Sequence, residues 1–127
     1  MSIQLPDEEI VSEWVLVSRE RIRAFADVTE DQQWIHVDAP SPIAHGFLTL
    51  SLIAAMAPKI EASVALNYGL NRVRFLAPVP ADSSVRARFR VMSIEDGEGT
   101  KVTWNVVVEC DATPKPCCVA EWVTLYR

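Results

Sequence analysis

Residues 39–58 read APSPIAHGFLTLSLIAAMAP, twenty positions without one charged side chain. A helix that spans a bilayer needs about 20 mostly apolar residues. Pro40, Pro42 and Pro58 interrupt this stretch, and its apolar run, Phe47 to Ala57, is too short to span. The stretch is internal, and the N-terminus, Met1 to Glu9, has neither a basic start nor an apolar run, so neither reads as a leader. The expectation is a soluble, intracellular protein with a buried central helix over Ala44 to Ala57. Pro42 suits a first helical turn, where its missing N–H is not needed. Pro58 ends the helix. Because the segment is apolar nearly all round, it should be buried on every side.

Outward from this centre, the charge is uneven. Residues 1–38 hold nine acids and three bases, whereas residues 59–90 hold two acids and six bases. The whole chain has 127 residues, half of them hydrophobic, and a net charge of −5. That length is one domain, and one domain of this size buries roughly two-thirds of its unfolded surface. The acidic balance speaks against a general nucleic-acid binder. Three cysteines, two of them adjacent at Cys117 and Cys118, form neither a disulfide framework nor a zinc pattern. They read as reduced packing residues of a cytoplasmic protein.

The flanks divide into a helical half and a stranded half. Glu13 to Val17 is a short apolar strand. Ser18 is placed to cap a helix, with Glu20 in its first turn. Ile22, Phe25, Ala26 and Thr29 follow at helical spacing. Thr29 to Ser41 is polar and irregular. Beyond the central helix the period becomes two: Asn71 to Phe75, then Ser83 to Met92, where Val85, Ala87, Phe89 and Val91 alternate with Ser84, Arg86, Arg88 and Arg90. Asp96-Gly97-Glu98-Gly99 is a hairpin turn. Lys101 to Cys110 and Cys117 to Tyr126 are two more strands, separated by Pro114 and Pro116. Strands this long curl, so the expected architecture is α+β, a curved antiparallel sheet wrapped on one buried helix.

The only histidines, His36 and His45, flank the polar loop. Asp31 and His36 pair a carboxylate with an imidazole five positions apart. On a regular helix they would diverge by about 140°, so they converge only if the segment bends. Facing one water, they could activate it and later return a proton. The plainer alternative is that Asp31 caps a turn and His36 is a satisfied histidine; on spacing alone this stands ahead. His45-Gly46 opens the central helix, where unpaired N–H groups carry partial positive charge and glycine allows close approach. This could form an oxyanion hole for a thioester or other carbonyl, or Gly46 could serve packing only. Arg86, Arg88 and Arg90, like Arg72 and Arg74, read first as a solvated strand face and second as a phosphate site. Trp34, Trp104 and Trp122 read as core or interface aromatics.

Three segments together change this balance. Phe25 to Asp38 resembles the hydratase motif of the MaoC-like dehydratases, the family of (R)-specific enoyl-CoA hydratases. Pro42 to Leu52 resembles the start of that family's central helix, and Asn67 to Pro80 its following strand. The Gln-Trp-Ile-His (33–36) and Asn-Tyr-Gly (67–69) forms are most similar to the nodulation-protein-N-like branch. The resemblance covers about residues 11 to 127. It implies a hot-dog fold and a homodimer or higher homo-oligomer with continuous sheets. It implies (R)-specific hydration of a trans-2-enoyl-CoA, or the reverse dehydration, on an acyl-CoA thioester. Asp31 and His36 become the catalytic pair, Gly46 the oxyanion donor, and His45, Asn67 and Tyr68 substrate-binding residues. No metal or other cofactor is implied, because the thioester itself acidifies C2.

Two departures from the family pattern stand out. Only eight residues separate His36 from His45, where a longer stretch with a short helix is usual. Ala54 occupies a position where some members have a supporting serine. The short connection leaves room for a second reading, a non-catalytic hot-dog subunit or acyl-CoA-binding protein. A thioesterase is the third.

Overall fold

The computed structural model describes residues 3–127; Met1 and Ser2, the start of the segment read as lacking a leader, lie outside them. The fold is built on one long hairpin. β4 (Ser83–Gly97) and β5 (Gly99–Cys110) pair antiparallel along their length, and β6 (Cys118–Tyr126) adds on β5. β3 (Ala65–Phe75) adds on β6, while the short strands β1 (Ile10–Val11) and β2 (Val15–Val17) both lie on β4. The strand order is β1-β4-β5-β6-β3, all antiparallel.

The alternation read from the sequence has its physical basis here. Val85, Ala87 and Phe89 point inward, opposite Val106, Val108 and Cys110. Trp104 and Trp122 sit opposite one another, and Phe89 meets each edge-on at 6.2 and 6.3 Å. The Trp104 indole N–H donates to the Tyr126 hydroxyl at 3.2 Å, so the largest buried ring leaves no polar atom stranded. On the outer face, Arg86 and Arg88 both donate to Glu109 at 3.0 and 2.9 Å, Arg88 also reaches Glu9, and Arg86 lies over the Trp14 ring. Burial would raise the Glu109 pKa, but the two guanidiniums together hold it below the usual value. Two of the three arginines of this row are thus committed to carboxylates rather than free for phosphate.

α1 (Arg19–Thr29) is capped as expected: the Ser18 hydroxyl accepts from the Arg21 N–H at 3.1 Å. The central helix, α3, runs Gly46–Met56. It begins two residues later than the pattern suggests, because Pro42–Ala44 is extended: Ile43 bridges Pro80, and the Ala44 N–H donates to the Val79 carbonyl. Leu48, Thr49, Ile53 and Met56 are buried in the hollow of the sheet. The expectation of burial on every side is not met within one chain: Phe47, Ser51, Ala54 and Ala55 are exposed.

Other differences have local causes. Trp34–Val37, read as irregular, forms a single helical turn, α2. Trp34 is 61% exposed rather than core. The strand read as Asn71–Phe75 extends back to Ala65, and β4 extends to Gly97. The three cysteines are free and buried. Among the described residues no helix is long and apolar enough to cross a membrane. The result is α+β, a curved sheet around a central helix, as the hot-dog resemblance implies.

Candidate active site

Helix α1 stops where Glu30 turns into the left-handed region at φ 62°. A left-handed residue after a helix reverses the chain. The Thr29 hydroxyl donates to the Phe25 carbonyl at 2.7 Å, and Gln32 donates to the Asp27 carboxylate at 2.9 Å, which holds the new direction. Asp31 follows this corner and α2 carries His36 one turn further. Glu30 thus turns the chain out of α1 ahead of Asp31, and between Asp31 and His36 the backbone leaves helical geometry at Gln33 (φ −57°, ψ 137°) before α2 begins, so the two do not lie on one regular helix.

The His36 ring is nearly buried, at 9% exposure, and its Nδ1 lies 2.7 Å from the Ile43 carbonyl. A carbonyl only accepts, so Nδ1 carries a proton, and in the neutral ring Nε2 keeps its lone pair. The short connection from His36 to His45 makes this contact. The Ile43 N–H donates to the Ile35 carbonyl and the Ala39 N–H to the Trp34 carbonyl, so the strand-like 42–44 segment lies directly against α2. The shortening noted in the sequence yields a tightly bonded link that sets the tautomer of His36.

His45 is the N-cap residue of α3 but makes no side-chain cap. Its ring is 2% exposed. It stacks on His36 with centroids 3.8 Å apart and planes 21° apart, and Phe25 packs on it at 4.9 Å. Its Nε2 lies 3.0 Å from the Asp31 main-chain carbonyl, so Nε2 bears the proton; Nδ1 is buried with no partner among the described residues.

An Asp31 oxygen, a His36 nitrogen and a His45 nitrogen lie within 4.8 Å of one another. Three such groups suggest a cation, but the geometry does not suit one. Ligand lone pairs lie in the imidazole planes, and two stacked, nearly parallel rings do not aim at one point. The His45 Nε2 is also already engaged.

Gly46 begins α3. The Leu48 and Thr49 N–H groups close on the His45 carbonyl, which leaves the Gly46 and Phe47 N–H groups without an intrahelical partner. A cleft of about 250 Å³ opens here, lined among others by His36, Ile43, Gly46, Thr49, Phe75 and Cys117. The His36 imidazole and the positive end of a helix thus share this cleft, and the exposed Asp31, which is not part of its wall, has a carboxylate oxygen within 4.8 Å of a His36 nitrogen. Such an arrangement can bind a water beside a carbonyl and stabilise negative charge on that carbonyl's oxygen.

The other expected residues lie elsewhere. Asn67 and Tyr68 line a second hollow of about 260 Å³ between α3 and β3, with Leu50, Ser51 and Trp122. The Trp122 indole donates to Asn67 at 3.1 Å, and the Lys101 ammonium sits 4.1 Å from the Tyr68 ring centre. His45, expected at the substrate, is enclosed behind the pair; its burial and occupied Nε2 correct that placement. Thr49, Phe75 and Cys117 line the cleft without having been singled out. Thr49 could have been found, since it lies one helical turn from Gly46 on the same face. The Cys117 thiol is pushed up to about 12 by burial and by its neighbours Cys110 and Cys118, so it stays neutral and is not a nucleophile at ordinary pH.

Comparison with known proteins bears on the fold and the family. A family model described as a MaoC-like domain matches residues 2–111. A 3-hydroxyacyl-thioester dehydratase Z of Mycobacterium tuberculosis is 44% identical, covering 91% of this chain and 85% of that protein. A nodulation protein N of Rhizobium leguminosarum bv. viciae is 45% identical, covering 91% and 82%. In fold, an (R)-hydratase from A. caviae involved in PHA biosynthesis superposes with a TM-score of 0.78 at 18% identity, over 95% of this chain and 96% of that one. Taken with the hot-dog architecture, the family match and these two relatives show that the chain belongs to the MaoC-like hydratase/dehydratase family.

Proposed function

We propose that the protein catalyses (R)-specific addition of water to a trans-2-enoyl thioester, giving the 3-hydroxyacyl thioester, and the reverse dehydration. The observation that carries the reading is the Nδ1–H bond from His36 to the Ile43 carbonyl, which in the neutral ring leaves Nε2 as an acceptor, in a site where an Asp31 carboxylate oxygen lies within 4.8 Å of a His36 nitrogen. The relatives named for a hydroxyacyl-thioester dehydratase support the same reaction type.

In this reading the thioester carbonyl lies against the start of α3, where the Gly46 N–H polarises it. Asp31 and the His36 Nε2 hold the water. Its oxygen bonds to C3 as the C2–C3 π electrons move towards the thioester, and the charge gathers on the carbonyl oxygen. The proton lost by the water passes through the pair to C2, so one water is consumed and nothing else is exchanged. An oxyanion donor contributes about 3–4 kcal/mol and positioned acid–base groups roughly 10²–10⁴ in rate. The chemistry calls for no metal or redox group, because the thioester itself acidifies C2. Coenzyme A is the proposed carrier, a homodimer the proposed assembly, and the cytoplasm its proposed place.

The test follows loss of enoyl absorbance with crotonyl-CoA and longer enoyl-CoAs. Asp31→Asn and His36→Gln should each lower kcat by about 10²-fold or more. Full activity in both variants would remove the pair from the mechanism. Release of free thiol instead of hydration would make the protein a thioesterase, and tight acyl-CoA binding without turnover would make it a binding subunit.

A further inference from the structure

We infer that His45 is a positioning residue, the joint that holds the two halves of the site in register; this rests on the hydratase reading above. Three parts must meet for that chemistry: the Asp31 loop, the His36 ring and the start of α3. His45 touches all three. Its Nε2–H donates to the Asp31 carbonyl at 3.0 Å, its ring stacks on His36 at 3.8 Å, and its own carbonyl accepts the first hydrogen bonds of α3 next to Gly46.

The ring cannot serve the substrate directly. It is 2% exposed, Phe25 packs on it, and it is not part of the cleft wall. A buried imidazole nitrogen without a partner costs free energy, and the Nδ1 of His45 is such an atom. A purely apolar ring would avoid that cost while filling the same slot. The histidine is explained by what its other nitrogen does, which is to tether a main-chain carbonyl that has no helix or strand to hold it. Asp31 lies between α1 and α2, and among the described residues the only other main-chain bond at this residue is a 3.4 Å contact from its N–H to the Thr29 hydroxyl. Without the tether, the carboxylate is free to drift relative to His36, and displacement of reacting groups by about 1 Å costs roughly 100-fold in rate.

Two variants separate the tether from the stack. His45→Phe keeps a flat ring against His36 and Phe25 but has no N–H; His45→Gln keeps an N–H at similar reach but has no ring. Each is measured for kcat and KM with an enoyl-CoA, for melting temperature, and for amide exchange over residues 31–38, where the His36 and Asp38 N–H groups are bonded to Gln33 and Trp34. We expect His45→Phe to melt near the wild type yet lose kcat by about 100-fold with KM nearly unmoved, and to exchange faster over 31–38. His45→Gln should recover most of kcat. Wild-type kcat in His45→Phe, or equal loss in both variants, overturns the inference. If the wild type itself hydrates no enoyl-CoA, the hydratase reading fails separately. Exchange then decides alone: faster in His45→Phe but not in His45→Gln supports the tether, and unchanged exchange in His45→Phe refutes it. Should His45→Phe not fold, His45→Leu takes its place with the same outcomes.

Discussion

Gly46 meets two requirements at once. Its N–H opens the central helix, and its Cα lies under the Phe75 ring, so that a Cβ there would stand 3.0 Å from Phe75 Cδ1 and 3.1 Å from Cε1. Phe75 is about half exposed, at 48%, and its ring can swing away. Gly46→Ala should therefore cost little stability, about 1 kcal/mol or less. It keeps the N–H but pushes the ring within the cleft, so kcat/KM should fall by roughly 10-fold, or about 1.4 kcal/mol of transition-state binding. Adding Phe75→Ala should restore part of the loss, a coupling that a double-mutant cycle measures. Unchanged kcat/KM in Gly46→Ala would mean that Phe75 does not shape the substrate path. Asp31, His36 and Gly46 could be picked out as candidates only from the three motifs taken together, since spacing alone favoured a turn cap, a satisfied histidine and a packing glycine. The positioning role proposed for His45 could not. Adjacency to Gly46 suggested the substrate, whereas the direction of a side chain depends on what packs around it, here Phe25 and His36.

At the level of elements, the tip of the β4–β5 hairpin reverses the chain across a single residue. Gly97 and Gly99 face each other across Glu98. Gly99 has φ 105°, and a Cβ there would stand 2.6 Å from the Tyr126 carbonyl oxygen. An L side chain is strained at that φ, and a main-chain oxygen cannot give way. Gly99→Ala should cost about 1–3 kcal/mol, read as a lower melting temperature. Gly97→Ala is the control: nothing lies within 4 Å of its Cβ position, and a change within about 0.5 kcal/mol is expected. Equal melting temperatures for the two variants would contradict this account of the turn. The turn, like β4 to β6 and α1, could be read from the sequence, since burial on one face imprints a period. α2 and the first half of β3 could not. α2 is four residues, too short to show a helical period, and its shape comes from the 42–44 segment bonded against it. Ala65 to Tyr68 are exposed on both faces, so no alternation marks them as strand.

That exposure is itself an argument about the whole molecule. β3 is the last strand of the sheet and, among the described residues, pairs only with β6, so its outer edge has no strand beside it there. Leu66, Tyr68 and Leu70 are exposed on it, and Phe47, 67% exposed, adds apolar surface on α3. A long apolar edge strand invites pairing, and natural proteins left with such an edge as monomers usually block it with charge or proline. A second copy adding its β3 antiparallel would join the two sheets and cover these side chains. It would also close the hollow between α3 and β3 that holds Asn67 and Tyr68, the place where these two could join a shared site. The prediction is that the protein runs in solution at twice its 14.2 kDa mass. The double variant Leu66→Lys/Leu70→Lys places charge on the edge and should run at the single mass, with its fold intact by circular dichroism and its enoyl-CoA hydration lost. A wild-type protein that sediments as a monomer at micromolar concentration would sink the edge-pairing model. A monomeric variant with undiminished turnover would show instead that each chain carries a complete site.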